Sequence, residues 1–257
     1  MAWEYNQQAF RIDERVFDRW ADRYDDLIPR SEEAKATVDT LAELCPGKRI
    51  LELAVGTGRI AIPLANRGFL VSGLDSSPRM LERLREQEAS GEVEPLLADM
   101  RNFDLDRQFD LIALLLNGLY LLPDQQAQVD CLRASAKHLA PGGRLVIEGF
   151  VPPSRDAFRF GQATTTTFLS TDPPEVRLEC SLHDPLQQVV RSQVVSITES
   201  GPQFFPVQMR YVYPSELDLM AQLAGLRLVA RYGDWQRVPL NPSHTNCVSV
   251  YERSENV

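Results

Sequence analysis

The chain has 257 residues, 44% of them hydrophobic, which suits one α/β domain with an added element. Its formal net charge of −9 disfavours nucleic-acid binding, because that function needs a clustered basic face. The four cysteines form no C-x-x-C pair, so the sequence predicts no metal site and indicates a reducing, cytoplasmic compartment. We see neither a signal peptide nor an apolar run of about 18 residues, and we therefore expect no membrane association.

Two helices are predicted before residue 48. Apolar residues recur at helical spacing over Arg11–Leu27, which predicts an amphipathic helix. The residues that carry this spacing are Phe10, Phe17, Trp20, Tyr24 and Leu27. A second helix is predicted over Ser31–Leu44, with Ser31 as the N-cap and Pro46-Gly47 as the terminator.

The stretch Lys48–Ala61, KRILELAVGTGRIA, predicts a buried strand, a glycine-rich turn and the start of a helix. Gly56 and Gly58 let the backbone turn sharply and let a ligand approach without a Cβ in the way. A second apolar strand then ends at Asp75, where folds of this kind place a carboxylate against a ribose diol. The sequence therefore predicts a nucleoside-containing cofactor.

Strands and helices alternate from residue 48 to residue 149. Strands are predicted near 49–53, 70–74, 93–97, 109–115 and 144–149. Helices are predicted near 58–66, 77–88 and 124–139. This alternation predicts a parallel sheet with helices on both faces, and such sheets bind ligands beyond the carboxyl ends of their strands.

The pattern changes after the fifth strand. Residues 163–213 are rich in Thr and Val with alternating apolar positions, which predicts an inserted antiparallel β cap. A helix from Pro214 to about Ala224 and two strands, Leu226–Tyr232 and Thr245–Glu252, are predicted to complete the chain. We interpret this as one domain. Its parts are N-terminal helices in 1–47, a cofactor-binding core in 48–150, a β cap for the substrate in 151–213 and a helix with a strand pair in 214–257.

Two cofactor classes compete for the glycine-rich turn. Gly56–Ala61 fits the dinucleotide fingerprint G-x-G-x-x-G/A, which would suit an NAD(P)-dependent reductase. Glu52, however, would repel an anionic pyrophosphate and attract an ammonium group. A third acid, Asp99, follows the third strand and suits the amino group of an adenine.

The order of these motifs resembles that of the class I S-adenosylmethionine (SAM)-dependent methyltransferases. In that family E/D-x-G-x-G-x-G is followed by an acid after the second strand, an acid after the third strand and a P-G-G strand. This chain has ELAVGTG, GLDSS, LADM and LAPGGRLVIEG in the same order. The resemblance implies a Rossmann-like seven-stranded sheet, SAM as the cofactor and methyl transfer as the reaction. It covers nearly the whole chain and is specific within about 48–150.

The resemblance also implies which residues contact SAM. Glu52 would meet its amino group, Asp75 both ribose hydroxyls, and Asp99 the adenine amine. Tyr24, in DRYDDL, resembles a Y-D segment that covers the methionine end. The full predicted set is Tyr24, Glu52, Ala54, Gly56, Gly58, Asp75, Ser76, Met80, Asp99, Met100 and Asn117. Ala54 replaces the family's first glycine, and because alanine favours negative φ we expect an unstrained turn there.

Catalysis here mainly requires alignment. Methyl transfer from a sulfonium is an SN2 reaction with a good leaving group, and positioning supplies much of its acceleration. His244 is the candidate base and Tyr120 the second candidate catalytic residue. We expect the loop 233–244 to overhang the site, so Trp235 is a candidate for the substrate pocket, as is His183 in the cap.

The resemblance implies a small-molecule acceptor. It is closest to bacterial N-methyltransferases of amino sugars and glycine-type amines, which favours N-methylation over C- or O-methylation, with natural-product metabolism as one setting. The segment Leu116–Tyr120, LNGLY, lacks the N-P-P-Y pattern, which disfavours DNA, RNA and glutamine as substrates. An NAD(P)-dependent reductase and a non-catalytic SAM-binding protein are the alternatives. Both a monomer and a homodimer are compatible with the sequence.

Overall fold

The computed structural model describes residues 16–28, 32–88, 91–152 and 162–254. Its first layer is a seven-stranded sheet with the order β10-β11-β5-β4-β1-β2-β3. The strands of this sheet are β1 (Arg49–Leu53), β2 (Leu70–Asp75), β3 (Val93–Leu97), β4 (Phe109–Leu114), β5 (Leu139–Phe150), β10 (Leu226–Tyr232) and β11 (Asn246–Arg253). β1 pairs in parallel with both β2 and β4, whereas β11 runs antiparallel to β5 and β10.

Helices cover the sheet and surround its ligand-binding edge. Their bounds are α1 (Val16–Trp20), α2 (Tyr24–Leu27), α3 (Glu32–Leu44), α4 (Ala61–Ala65), α5 (Pro78–Gln87), α6 (Gln125–His138) and α7 (Pro214–Leu223). Buried apolar side chains form two separate clusters against the sheet, one holding Leu41 with Ile50 and the other holding Leu51 with Leu132. Because successive strand residues point to opposite faces, Ile50 and Leu51 mark the two sides. Both faces of the sheet are therefore buried, as helices on both faces require.

The second layer is an antiparallel sheet of four strands, which we call the cap. Its strands, in spatial and chain order, are β6 (Gln162–Thr171), β7 (Pro174–Asp184), β8 (Val189–Thr198) and β9 (Gly201–Arg210). Trp20 and Met80 share a buried cluster with Phe205 of β9. The cap is thereby packed onto the N-terminal helices and α5, above the carboxyl ends of the parallel strands.

The N-terminal helix differs from its sequence prediction. The predicted single helix over Arg11–Leu27 is two short helices separated by a turn at 21–23, and its part before Val16, with Phe10, lies outside the described residues. Trp20 donates its indole N–H to the Pro206 carbonyl of the cap, whereas Tyr24 lies over the glycine-rich turn. Because these two anchors lie on different parts of the protein, the chain bends between them. The predicted N-cap Ser31 also lies outside the described residues.

The other predicted elements of the sheet are confirmed with small shifts in their bounds. β5 begins at Leu139, five residues before its predicted start, and its pairing with β4 slips between Phe109 and Leu111. The cap is confirmed as an antiparallel sheet. None of the helices among the described residues is long and apolar enough to cross a membrane.

Candidate active site

The turn after β1 is built from residues in left-handed backbone conformations. Ala54 has φ +55°, Gly56 +56° and Gly58 +84°. The expectation of an unstrained turn at Ala54 is therefore wrong, because a left-handed residue with a Cβ costs about 1 kcal/mol. The turn exposes backbone and the small Cβ of Ala54 to the space above the strands, which leaves room for a ligand.

Asp75, the last residue of β2, holds this turn. Its Oδ2 accepts the backbone N–H of Gly56 at 2.9 Å, and its Oδ1 accepts that of Ser77 at 2.9 Å. Burial raises the pKa of this carboxyl, and the backbone hydrogen bonds counter that rise. A carboxylate has about four acceptor sites, so Asp75 can accept hydrogen bonds from a ligand in addition to those from the backbone. The hydroxyls of a ribose are suitable donors to this carboxylate.

Above Asp75 lies a cavity of about 570 Å³, which we call the larger chamber. Its described lining comes from the N-terminal helices, the ends of β1 and β2, the loops after β3 and β4, and the cap. The residues are Val16, Phe17, Tyr24, Ala54, Gly56, Leu74, Asp75, Ser76, Met80, Asp99, Met100, Arg101, Leu121, Leu122, Pro123 and Gln208. A mixture of apolar walls and a few carboxylates suits a nucleoside.

Asp99 enters the larger chamber together with a residue that the sequence prediction missed. Arg101 donates from Nε to Oδ1 and Oδ2 of Asp99, at 3.0 and 2.8 Å, and its backbone N–H also reaches Oδ1 at 2.8 Å. The Arg101 guanidinium holds the pKa of Asp99 below its ordinary value. An adenine amine would therefore meet an ionised, oriented acceptor and not an isolated acid.

A second cavity of about 50 Å³, the smaller chamber, adjoins the first. The two share Tyr24, Ala54 and Leu121 in their walls. The smaller chamber is lined by Tyr24, Glu52, Ala54, Val55, Arg59, Ile60, Leu115, Leu116, Gly118 and Leu121. It contains the carboxyl group of Glu52 and the guanidinium of Arg59, and it lies beyond the carboxyl end of β1.

Glu52 and Arg59 of the smaller chamber both have hydrogen-bonding atoms without a partner among the described residues. Glu52 is 5% exposed, and within the described residues its Oε2 has no partner. Nε of Arg59 is likewise buried and unpartnered there. Burial raises the pKa of Glu52 to about 8, and the positive charge of Arg59 opposes that rise. Buried polar atoms are rarely left without a partner, so this pair points to a ligand that carries both an ammonium and a carboxylate.

Tyr24 covers the glycine-rich turn. A Cβ placed on Gly56 would lie 3.7 Å from the Tyr24 ring, and burial raises the pKa of the Tyr24 hydroxyl to about 12. The neighbouring Asp25 accepts the Thr57 hydroxyl at 2.7 Å. On the other side of Tyr24, Arg23 donates to Glu175 of the cap at 3.0 Å. The aromatic ring is thus fixed between the core and the cap, above the junction of the two chambers.

Gly58 and Asn117 belong to the predicted cofactor set but lie outside the described lining of either chamber. An added Cβ on Gly58 would be 3.0 Å from Ile62, so this glycine serves close packing of the turn. The Asn117 side chain is turned toward β5, where its Oδ1 accepts the Phe150 N–H at 2.7 Å. Both residues therefore support the backbone around the site, and neither is part of the described lining of the chambers.

The structure does not bring the predicted catalytic pair to the chambers. Tyr120 is 4% exposed and its hydroxyl donates to the carbonyls of Phe150 and Val212, at 3.1 and 3.2 Å. His244 accepts the Asn241 N–H through Nδ1 at 3.1 Å within its own loop. Neither side chain is in the described lining, so the geometry supports no role for them as proton acceptors.

The two predicted substrate-pocket residues also lie elsewhere. Trp235 is 2% exposed and its indole donates to Oε1 of Glu148 at 2.8 Å, so it packs into the core and does not overhang the site. His183 pairs with the Tyr211 hydroxyl at 2.7 Å, and burial lowers its pKa. Sequence reasoning placed the loop 233–244 at the correct edge of the sheet but could not give the direction of its side chains.

These charges fit SAM in one orientation. Glu52 and Arg59 match the ammonium and the carboxylate of its methionine part, and Asp75 matches its ribose. A pyrophosphate, in contrast, would lie against the carboxyl groups of Glu52 and Asp75, which repel its negative charges, so the geometry does not favour the dinucleotide alternative. The described residues contain no group of His, Cys, Asp and Glu arranged to hold a metal ion.

Comparison with known proteins agrees with this fit. Residues 50–143 match a family described as a methyltransferase domain. The structure of the CcbJ methyltransferase from Streptomyces caelestis is 36% identical, superposes with a TM-score of 0.88, and covers 95% of this chain and 100% of its own. The chain belongs to the SAM-dependent methyltransferases. This methyltransferase therefore uses SAM as its cofactor.

Two further relatives show how far the similarity extends. The cypemycin N-terminal methyltransferase of Streptomyces sp is 26% identical over 207 residues, which are 80% of this chain and 84% of the relative. A sugar N-methyltransferase from Streptoalloteichus sp ATCC 53650 has a TM-score of 0.68 at 22% identity and covers 99% of both chains. The second likeness establishes the fold alone.

Three residues of the site were missed by sequence reasoning. Arg59 directly follows Gly58, so its place in the glycine-rich turn could have indicated a cation for a ligand carboxylate. Arg101 comes two residues after Asp99, a spacing that permits the ion pair seen here. Gln208 of β9 reaches the larger chamber from the cap, and the sequence carries no signal for that contact.

Proposed function

We propose that this methyltransferase transfers the SAM methyl group to an amine nitrogen of a small molecule. The observation that carries the proposal is the two-chamber cavity, in which every described carboxylate has a partner in SAM and the cap supplies a polar residue, Gln208, to the wall. The relative described as an N-terminal methyltransferase supports the choice of nitrogen.

The proposed cofactor contacts follow from the two chambers. Glu52 and Arg59 bind the methionine ammonium and carboxylate, Asp75 binds the ribose hydroxyls, and Asp99 accepts from the adenine amine. Tyr24 covers the junction where the sulfonium is placed. Ala54, Gly56, Ser76, Met80 and Met100 complete the walls. Bound SAM supplies a methyl group on a sulfonium whose leaving group is a neutral thioether.

An amine acceptor suits the few ionisable residues of the chamber lining that are not assigned to SAM. The ionisable side chains in the described lining are Tyr24, Glu52, Arg59, Asp75, Asp99 and Arg101, and all but Tyr24 and Arg101 are assigned to SAM. A neutral amine attacks through its lone pair and loses its proton to water afterwards, whereas a hydroxyl needs a base before or during attack. Positioning by the chamber walls is therefore sufficient for an amine.

The proposal includes the partners and the division of the chain. Segment 48–150 binds the cofactor, and segment 151–213 forms the acceptor pocket together with residues 16–28. We propose a cytoplasmic protein without a nucleic-acid or membrane partner, supported by four cysteines that are all free thiols. A monomer is sufficient for the chambers as described, and a homodimer is equally compatible with them.

The test combines methyl-labelled SAM with a whole extract of the producing organism. The pure enzyme and an Asp75→Ala variant are incubated in parallel, and the labelled products are separated by size and examined by carbon NMR. Label in a low-mass product with the chemical shift of an N-methyl group, lost in the variant, is the expected result. Label on oxygen or carbon contradicts N-methylation, and label on protein or nucleic acid contradicts the small-molecule acceptor.

A further inference from the structure

Two consecutive residues after β4 have left-handed backbones without being glycine. Leu116 has φ +47° and Asn117 has φ +63°. Asparagine tolerates this conformation, but a leucine in it costs about 1 to 2 kcal/mol. Such strain persists only where the surroundings hold it in place, and it is concentrated at functional sites. Leu116 also lines the smaller chamber beside Glu52.

Glu148 at the end of β5 holds the strained backbone. Its Oε2 accepts the Leu116 N–H at 2.8 Å. Its Oε1 accepts the Trp235 indole N–H at 2.8 Å and the Asn246 amide at 2.9 Å. The carboxylate is 5% exposed, so three donors from three separate segments converge on one buried group. Trp235 thus contacts Glu148 and lies outside the described lining of both chambers.

We propose that Glu148 is a positioning residue for methyl transfer. By holding Leu116 in its left-handed conformation, it fixes the wall of the smaller chamber against which the methionine part of SAM, and therefore the sulfonium methyl, is aligned. The inference rests on the proposed placement of the methionine part in that chamber. Glu148 then sets the position of the methionine part and of the sulfonium methyl, whereas the adenosyl part of SAM is held by other residues.

The arrangement of donors makes a sharp test available. In Glu148→Gln the amide oxygen can accept either from Leu116 or from Trp235 and Asn246, but not from both sides. In either orientation the amide NH₂ group faces another N–H donor, with which it cannot form a hydrogen bond. With its oxygen toward Leu116, the glutamine NH₂ clashes with the indole N–H, since an indole nitrogen cannot accept. Adding Trp235→Phe removes that donor, and a flipped Asn246 amide then accepts from the glutamine. The double variant should therefore regain the Leu116 hydrogen bond.

The probes are S-adenosylhomocysteine (SAH), which has the methionine part without the methyl, and 5′-methylthioadenosine, which lacks the amino and carboxyl groups. We expect E148Q to weaken SAH binding about tenfold, as an unpaired buried donor predicts, and methylthioadenosine binding less than about twofold. W235F alone should leave both affinities nearly unchanged, and E148Q with W235F should restore SAH binding to within about threefold of wild type. Calorimetric titration measures each affinity, and thermal melting confirms that each variant is folded.

Three results would overturn the inference. The first is a parallel loss of both ligands in E148Q, which indicates general damage to the fold. The second is a double variant that binds SAH no better than E148Q. The third is a wild type that binds methylthioadenosine as tightly as SAH, which would also overturn the proposed placement of the methionine part. If E148Q does not fold, Glu148→Asp replaces it, because the shorter side chain keeps the charge and cannot reach all three donors.

Discussion

Cofactor binding by this enzyme should release a proton, and Glu52 is the reason. In the ligand-free protein burial raises the pKa of Glu52 to about 8, so at neutral pH its carboxyl is mostly protonated. The ammonium of a bound methionine part favours the ionised form and lowers that pKa. Because binding then requires the carboxylate, the affinity must rise as the pH rises toward 8.

The size of the effect follows from these pKa values. At pH 7 a group with a pKa near 8 is about 90% protonated, so binding should release about 0.9 proton from Glu52. The free carboxylate beside the α-amino group of SAH raises the pKa of that amine well above the ordinary value for a peptide N-terminus, so the amine stays protonated at pH 7 and the net release stays close to 0.9 proton. The ionised fraction of Glu52 is about 0.01 at pH 6 and about 0.5 at pH 8, so the affinity should be about fiftyfold higher at pH 8 than at pH 6. At still higher pH the loss of the ammonium should reverse the trend.

Calorimetric titration with SAH at pH 7, repeated in buffers of different ionisation enthalpy, measures the net proton release. Glu52→Gln should bind SAH more weakly and with almost no proton release, and methylthioadenosine should release almost none from the wild type. Glu82→Gln is a matched control, since Glu82 is an exposed partner of Arg79 outside the described lining of both chambers. Equal proton release by wild type and E52Q would refute the assignment of Glu52 to the ammonium.

Three further variants test other parts of the site. Asp75→Ala should raise the SAH dissociation constant about a hundredfold, because two hydrogen bonds to a charged acceptor are lost, and a tenfold or smaller change by calorimetry would contradict the ribose contact. Ala54→Gly should raise or leave unchanged the free energy of unfolding in urea, since glycine relieves φ +55°, whereas Ala134→Gly within α6 should lose about 1 kcal/mol. Equal losses would argue against strain at Ala54. Glu175→Gln should lower the melting temperature at pH 7 by about 3 °C, because Glu175 accepts from Arg23, and the difference should vanish as the pH falls from 4.5 toward 2. A difference that persists at pH 2 would contradict the depressed pKa of Glu175, which is about 2 through its hydrogen bonds to Arg177.

The central strands of the sheet were predictable because they are short apolar runs, and the structure buries nearly every residue of β1, β2 and β4. β1, β3 and β10 have the bounds that the sequence predicted. The N-terminal helix was not predictable in the same way, since the helical spacing of its apolar residues continues through the turn at 21–23. The break follows from two tertiary anchors, Trp20 on the cap and Tyr24 over the turn, which a periodic pattern does not encode.

The site residues that could be predicted are acids at the carboxyl ends of strands. Glu52, Asp75 and Asp99 each lie within two residues of the carboxyl end of a parallel strand, so topology alone brings them to one edge. Loop residues carry no such information, which is why Tyr120 and His244 were placed near the ligand and lie outside the described lining of both chambers. The left-handed Ala54 was missed because a preference for negative φ is overridden when Asp75 fixes the turn through the Gly56 N–H.

The most direct test of this account is a crystal structure of the enzyme with SAH bound. The account predicts the adenosyl group in the larger chamber, with its ribose hydroxyls on Asp75, and the amino and carboxyl groups in the smaller chamber on Glu52 and Arg59. An amino group found away from Glu52, or a ribose away from Asp75, would contradict it.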